Sequence, residues 1–237
     1  MDGLAGNRRI RVLVVDDHDL FRTGLRALLE EEGFDVGDSV SAEAALRRLP
    51  GFRPDVVVMD TDMPGMSGLE AIPLVLLAAP KASVLMLAIA ADDEQVLDAV
   101  RAGASAYLLK DAELSEISAA IRAVAAGMCA VAPGIAGVLL EYVRSTPARP
   151  AERAPGTSVA LSPRERDVLT LLCQGYDNGD IARQLFVSAS TVKHHVSRIL
   201  EKIGASNRVQ AATFAVRAGF YDGSPASAAA WSDRRAA

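Results

Sequence analysis

Short runs of β-branched and other apolar residues return at intervals through the first half of the chain: 12–15 (VLVV), 56–59 (VVVM), 84–87 (VLML) and 107–109 (YLL), with a weaker one near 34–36 (FDV). Each run is too short for a helix and lacks polar alternation, which marks a strand covered on both faces. Helix-length segments separate the runs. Strands and helices alternating in this way build parallel sheets, so residues 10–127 are predicted to form five strands and five helices in a doubly wound α/β sandwich. With 237 residues, half of them hydrophobic and 23% charged, the chain has the length and composition for a second folded unit.

The second unit is all-helical by its own start and stop signals. A helical segment near 133–144 is followed by a stretch, 145–160, that holds Pro147, Pro150, Pro155 and Gly156 among small residues and reads as a semi-extended tether. At Ser162-Pro163-Arg164-Glu165 a cap serine, a first-turn proline and a glutamate three residues past the cap announce a helix. Asp177, Ser188 and Ser206 are suited to cap three more, and Gly175, Gly204 and Gly219 to end the first, third and fourth. The predicted division is 8–128, a linker over 129–160, a four-helix unit over 161–221, and a disordered tail over 222–237.

Several function classes are disfavoured at once. Cys129 and Cys173 are far apart and have no cysteine or histidine at metal-ligand spacing, so both read as apolar fillers. Arg8, Arg9 and Arg11 precede an apolar stretch that meets Asp16 and Asp17 too soon for a secretory core, which points to a cytoplasmic protein. Residues 71–91 are almost wholly apolar, but Pro73, Pro80, Lys81 and Ser83 favour helix, turn and buried strand over a membrane span. From Ser158 to Tyr221 eight Lys or Arg face five Asp or Glu, a net of +3 (8 − 5), which leaves −8 elsewhere in a chain of net −5. Any contact with nucleic acid is therefore expected from the carboxy-terminal part.

In an open parallel sheet, function collects at the carboxyl ends of the strands. Asp16 and Asp17 follow the first run, Asp60 the third, Ala88 the fourth and Lys110 the fifth. Three carboxylates so gathered repel one another and call for a hard divalent cation with oxygen ligands, Mg²⁺ foremost. Asp60 could then attack a phosphoryl group while the cation and Lys110 balance charge on its oxygens. Capping of the first helix would account for Asp16 or Asp17 alone, but not for the lysine and the third acid. His18 reads as a hydrogen-bonded edge residue.

The stretches VLVVDDHDLFRTGLRALL, VVVMDTDMPGMSG and AGASAYLLKD resemble the flavodoxin-like receiver domains of NarL/FixJ-type two-component response regulators, over essentially all of residues 10–127. The resemblance implies that Asp60 is the phosphoacceptor and that Asp16 and Asp17 hold Mg²⁺ with the backbone carbonyl of Asp62. It further implies that Lys110 contacts the phosphoryl group, that Tyr107 is the aromatic that changes rotamer on activation, and that a sensor histidine kinase is the partner. The family has Thr or Ser where this chain has Ala88, and alanine offers no donor. Phosphorylation is expected to persist with weakened coupling to Tyr107 and the output surface.

In the third carboxy-terminal helix, Val192, Val196, Ile199 and Ile203 form an apolar stripe. Winding from Val192 sets Ser190, His194 and Ser197 opposite, with Thr191, Lys193 and Arg198 on the flanks, donors of the kind a major-groove helix carries. The segment from Leu161 to Ala218 resembles the LuxR-type helix-turn-helix of the same regulators, with Asp177 and Asp180 where the family usually has Ser and Glu. That resemblance places base contacts on Lys193, His194 and Ser197 of a homodimer on double-stranded DNA, with dimerisation through the last helix; Thr191 and Arg198 are suited to the backbone, and Ser190 is a further candidate for DNA contact.

Two rivals are separable. Asp60-Thr61-Asp62 also looks like the DxD motif of haloacid-dehalogenase phosphatases, but Pro64 follows closely and the supporting acids lie on an earlier strand. Ala88 fits a regulator switched by a ligand or protein partner without phosphate. The expectation is a regulator, not an enzyme beyond its own phosphorylation and dephosphorylation.

Overall fold

The structure is a computed structural model that describes residues 8–90, 92–128, 130–131 and 161–221. The predicted linker helix and tether, the tail and Cys129 lie outside the described residues. The chain divides into two compact units.

The first unit is a parallel sheet between two layers of helices. Its elements in order are β1 (Arg11–Val15), α1 (Asp19–Glu31), β2 (Asp35–Ser39), α2 (Ala42–Phe52), β3 (Val56–Asp60), α3 (Gly68–Ala78), β4 (Ser83–Ala88), α4 (Asp93–Ala102), β5 (Ala106–Leu109), α5 (Leu114–Ala125) and β6 (Ala130–Val131). The strand order is β2-β1-β3-β4-β5-β6, and every pairing is parallel. Period-two alternation sends Leu13, Val15, Val57, Met59, Val84 and Met86 to one face, under α2, α3 and α4. Val12, Val14, Val56, Val58, Leu85 and Leu87 go to the other, under α1 and α5. Both faces are dry, which is why the sequence runs are continuously apolar.

Two strands differ from expectation. β2 begins at Asp35, inside the FDV signal, and extends beyond it through DVGDS, because an outer strand needs only partial cover, and Gly37 gives way to the ring of Phe52. β6 adds a sixth strand beside β5, and two residues carry no readable periodicity. Residues 71–88 are helix, turn and strand, and no described helix is long and apolar enough to cross a membrane.

The second unit contains α6 (Pro163–Cys173), α7 (Asn178–Leu185), α8 (Ala189–Ile203) and α9 (Arg208–Arg217) among its described residues. The caps at Ser162, Asp177 and Ser188 form as read, and Gly204 closes α8 in the left-handed conformation at φ 68°. The fourth cap is a correction. Asn207, not Ser206, accepts from the Gln210 amide at 2.9 Å, while the Ser206 amide is taken by Gln210 Oε1 at 2.8 Å, one position before the cap. Val168, Leu169, Leu172, Ile181, Val192, Ile199 and Ala211 fill the core, and Val196 and Ile203 of the apolar stripe pack against it half-buried. Cys173 is half-buried there, and burial pushes its thiol up to about 11.

Candidate functional site

Strand order reverses direction between β1 and β3, and the crevice at such a switch point opens at the carboxyl ends of the strands. Asp16 and Asp17 leave β1 there, Asp60 ends β3, and Lys110 follows β5. Asp16 and Asp60 are buried, at 1% and 2% exposure. Lys110 Nζ lies 2.7 Å from Asp16 Oδ2 and 2.8 Å from Asp60 Oδ2, and 4.9 Å from the centre of the Phe21 ring. One oxygen each of Asp16, Asp17 and Asp60 and one ring nitrogen of His18 lie within 4.8 Å of one another.

One ammonium, with the exposed His18 imidazole at the rim, faces three carboxylates. Asp17 Oδ1 is buried and accepts no hydrogen bond, with His18 Nδ1 3.1 Å away. Oxygen donors with one orphaned oxygen suit a hard divalent cation. His18 holds the edge through its own amide, which donates to Asp16 Oδ1 at 2.8 Å. Burial, and after it the charge of Asp16, raises the Asp60 carboxyl above its usual range against the opposing pull of Lys110. Burial alone would lower Lys110, but its bonds to Asp16 and Asp60 outweigh that and hold the ammonium above the ordinary lysine value. Asp62 lies in the loop after β3; its amide reaches Asp60 Oδ1 at 3.4 Å and its carboxylate accepts from Thr61 Oγ1 at 3.1 Å.

Ala88 ends β4 fully buried, and its carbonyl accepts the Lys110 amide at 2.7 Å, tying the ends of β4 and β5 together. Tyr107 is 1% exposed in the same apolar cluster, and its hydroxyl has no hydrogen-bond partner. Burial first, and the charges of Asp62 and Asp92 after it, raise the phenol above its ordinary value.

Two residues that hold this edge escaped the sequence reading. A β-carbon on Gly68, at the start of α3, would stand 1.9 Å from the Asp60 carbonyl oxygen, so only glycine lets that helix close on β3. Arg22 on α1 is buried at 5% exposure. Its Nη1 donates to the Asp16 carbonyl at 2.9 Å, its Nε to Asp38 Oδ2 at 3.2 Å, and it pairs with Asp19.

On α8, Ser190, His194, Ser197 and Arg198 are exposed, while Thr191 and Lys193 are half-buried beside them. All six predicted contact residues thus share one side of the helix. The Ser188, Ser190 and Thr191 hydroxyls cluster at its start, with oxygen separations of 2.7 and 2.8 Å from Ser188, and Ser197 donates to the Lys193 carbonyl at 3.0 Å. The His194 and His195 rings are 6.4 Å apart; burial, and behind it Arg164, His194 and Arg198, keep His195 below the ordinary histidine value.

Residues 12–122 match the response regulator receiver domain, and residues 159–215 match the luxR family of bacterial regulatory proteins. The chain is 38% identical to the DNA-binding transcriptional activator DevR/DosR of Mycobacterium tuberculosis, over 87% of this chain and 94% of that one. It is 34% identical to the nitrate/nitrite response regulator protein NarL of Escherichia coli, over 86% and 93% respectively. A LuxR-family two-component response regulator from Aurantimonas superposes with a TM-score of 0.53 at 34% identity, over 56% of this chain and 97% of that one.

Proposed function

This chain belongs to the DNA-binding transcriptional response regulators of two-component systems, a receiver domain followed by a LuxR-type helix-turn-helix, and we propose that it is switched by phosphoryl transfer to Asp60. One observation carries the proposal: a buried carboxylate at a strand end shares Lys110 with Asp16 in a crevice that also holds an orphaned oxygen of Asp17. Its family is one of transcriptional regulators and not of conventional enzymes, and the chemistry proposed for the pocket acts on the chain's own Asp60. The boundaries 8–128 for the phosphoacceptor part and 161–221 for the DNA-reading part, and a cytoplasmic location opposite a sensor histidine kinase, belong to the same reading.

Asp16, Asp17, Asp60 and the backbone carbonyl of Asp62 would hold Mg²⁺, which when bound supplies positive charge opposite the phosphoryl oxygens. Asp60 presents an oxygen to phosphorus; an O–P bond forms as the donor's bond to phosphorus breaks, and the donor keeps that electron pair. The Lys110 ammonium, already held charged, exchanges its contact with Asp60 for one with a phosphoryl oxygen. Incubating the full chain with Mg²⁺ and acetyl phosphate should add one phosphoryl group by intact mass, and Asp60→Asn should add none. An unmodified wild-type mass under those conditions would refute the proposal.

Ala88 modifies the switch. It has no hydroxyl to follow a phosphoryl oxygen, and Tyr107 is inside and unbonded before any phosphate arrives. Phosphorylation is therefore coupled only weakly to Tyr107 and to the output surface. Ala88→Thr should strengthen the gain in dimerisation or DNA affinity caused by the phosphodonor severalfold. Equal gains in the two proteins would contradict this.

For the second unit, we assign base contacts in the major groove to Lys193, His194 and Ser197, phosphate contacts to Thr191 and Arg198, and a DNA contact to Ser190. A homodimer on paired half-sites is the expected bound form.

A further inference from the structure

A buried guanidinium stands behind the acidic pocket, and neither the proposed phosphoryl chemistry nor the sheet core requires it. The Nη1 of Arg22 bonds the carbonyl oxygen of Asp16, the oxygen of the peptide that joins the two acids after β1. The rest of the guanidinium is fixed by Asp38, next to last in β2, and by Asp19 in the first turn of α1. Asp38 is itself clamped, with Arg26 Nη1 on its other oxygen at 3.0 Å and Arg48 Nη1 on its carbonyl at 2.9 Å. The Asp16 amide donates to the Ser39 carbonyl at 3.2 Å. A peptide unit is planar, so holding the Asp16 carbonyl limits how the Asp16–Asp17 peptide can turn and thereby restricts the paths by which both side chains reach the pocket.

We propose that Arg22 is a positioning residue for the pocket, orienting the Asp16–Asp17 peptide so that both carboxylates meet a divalent cation. This rests on the assignment of a cation to the pocket. The charge of Arg22 works against such a role, since a cation close behind a cation site repels the ion. Geometry and charge therefore make opposite forecasts. If only charge mattered, removing the guanidinium would tighten cation binding, and replacing it by an ammonium would change nothing. If orientation matters, both changes weaken binding, because lysine can serve the Asp16 carbonyl or Asp38 but not both.

The test is calorimetric titration of Mg²⁺ into the metal-free full-length chain at fixed ionic strength, without phosphodonor. Arg22→Gln and Arg22→Lys should each raise the dissociation constant by roughly tenfold, the usual loss when a partner behind a metal ligand is removed. Arg26→Met takes a cation from the same Asp38 without touching Asp16, and Leu25→Val loosens the packing of the same helix. Both should stay within about twofold of wild type by the same argument. Wild-type or tighter binding by Arg22→Lys overturns the inference, as does equal weakening by Leu25→Val, which would make the effect one of general loosening. Should Arg22→Gln fail to fold, Arg22→Lys carries the test alone. A wild-type chain that gives no Mg²⁺ binding defeats the cation assignment and this inference together, whereas binding by wild type with an unchanged Arg22→Lys defeats the inference only.

Discussion

Two buried carboxylates in this chain are displaced in opposite directions, and their neighbours account for both. Asp60 shares a dry edge with other acids, so its folded-state proton affinity is raised and its ionised form works against folding. Glu165 is 3% exposed but receives Lys202 Nζ at 2.7 Å and the Ser162 amide at 2.7 Å, and these partners, Lys202 foremost, lower it from 4.5 to about 2. A depressed carboxyl adds stability above its unfolded value, and that stability is lost as pH falls through the folded one. Glu165→Gln should therefore cost about 2 kcal/mol at neutral pH. Urea titrations of the two proteins should converge between about pH 4.5 and pH 2, and a gap that persists at the acid end would show that packing is responsible instead. The acids and lysine of the pocket were legible because each follows a strand run. Arg22 and Gly68 were not, because each acts on a backbone carbonyl that only the folded chain brings near. A buried arginine one turn into an amphipathic helix looks like any solvated charge.

At the scale of elements, visibility followed burial. β1, β3, β4 and β5 are dry on both faces and were plain as apolar runs, whereas β2 at the sheet edge keeps Asp35 exposed and Asp38 half-buried, and β6 is too short to carry a pattern. The carboxy-terminal helices were marked by caps more than by periodicity, and the misread cap at α9 arose because Ser206 and Asn207 are adjacent and both suitable. On α8 the apolar stripe and the donor-rich side were both readable, since a helix of this length presents each as a separate strip. The assignment made for its exposed side separates two kinds of contact by measurement. Lys193→Ala should cost roughly 1–3 kcal/mol on the preferred site and relax sequence preference. Arg198→Ala should weaken all sequences alike and lower the salt slope by about one. The reverse pattern would exchange their roles.

Over the whole molecule, charge and chemistry are partitioned alike. The stretch that carries α6 to α9 holds a net of +3 (8 − 5) in a chain of net −5, so the remainder is strongly acidic and is the portion that gathers Asp16, Asp17 and Asp60 at one sheet edge. A chain so divided should bind DNA through its carboxy-terminal part and lose affinity with rising salt. Under the proposed function the two units are linked by one covalent event, the arrival of a phosphoryl group on Asp60. Borohydride reduction of the phosphodonor-treated chain, which converts an acyl phosphate to homoserine, followed by peptide mapping, locates that event directly. The account predicts conversion at Asp60 alone and none without Mg²⁺. Conversion at Asp16, Asp17 or Asp62 instead, or at no carboxylate, would contradict it.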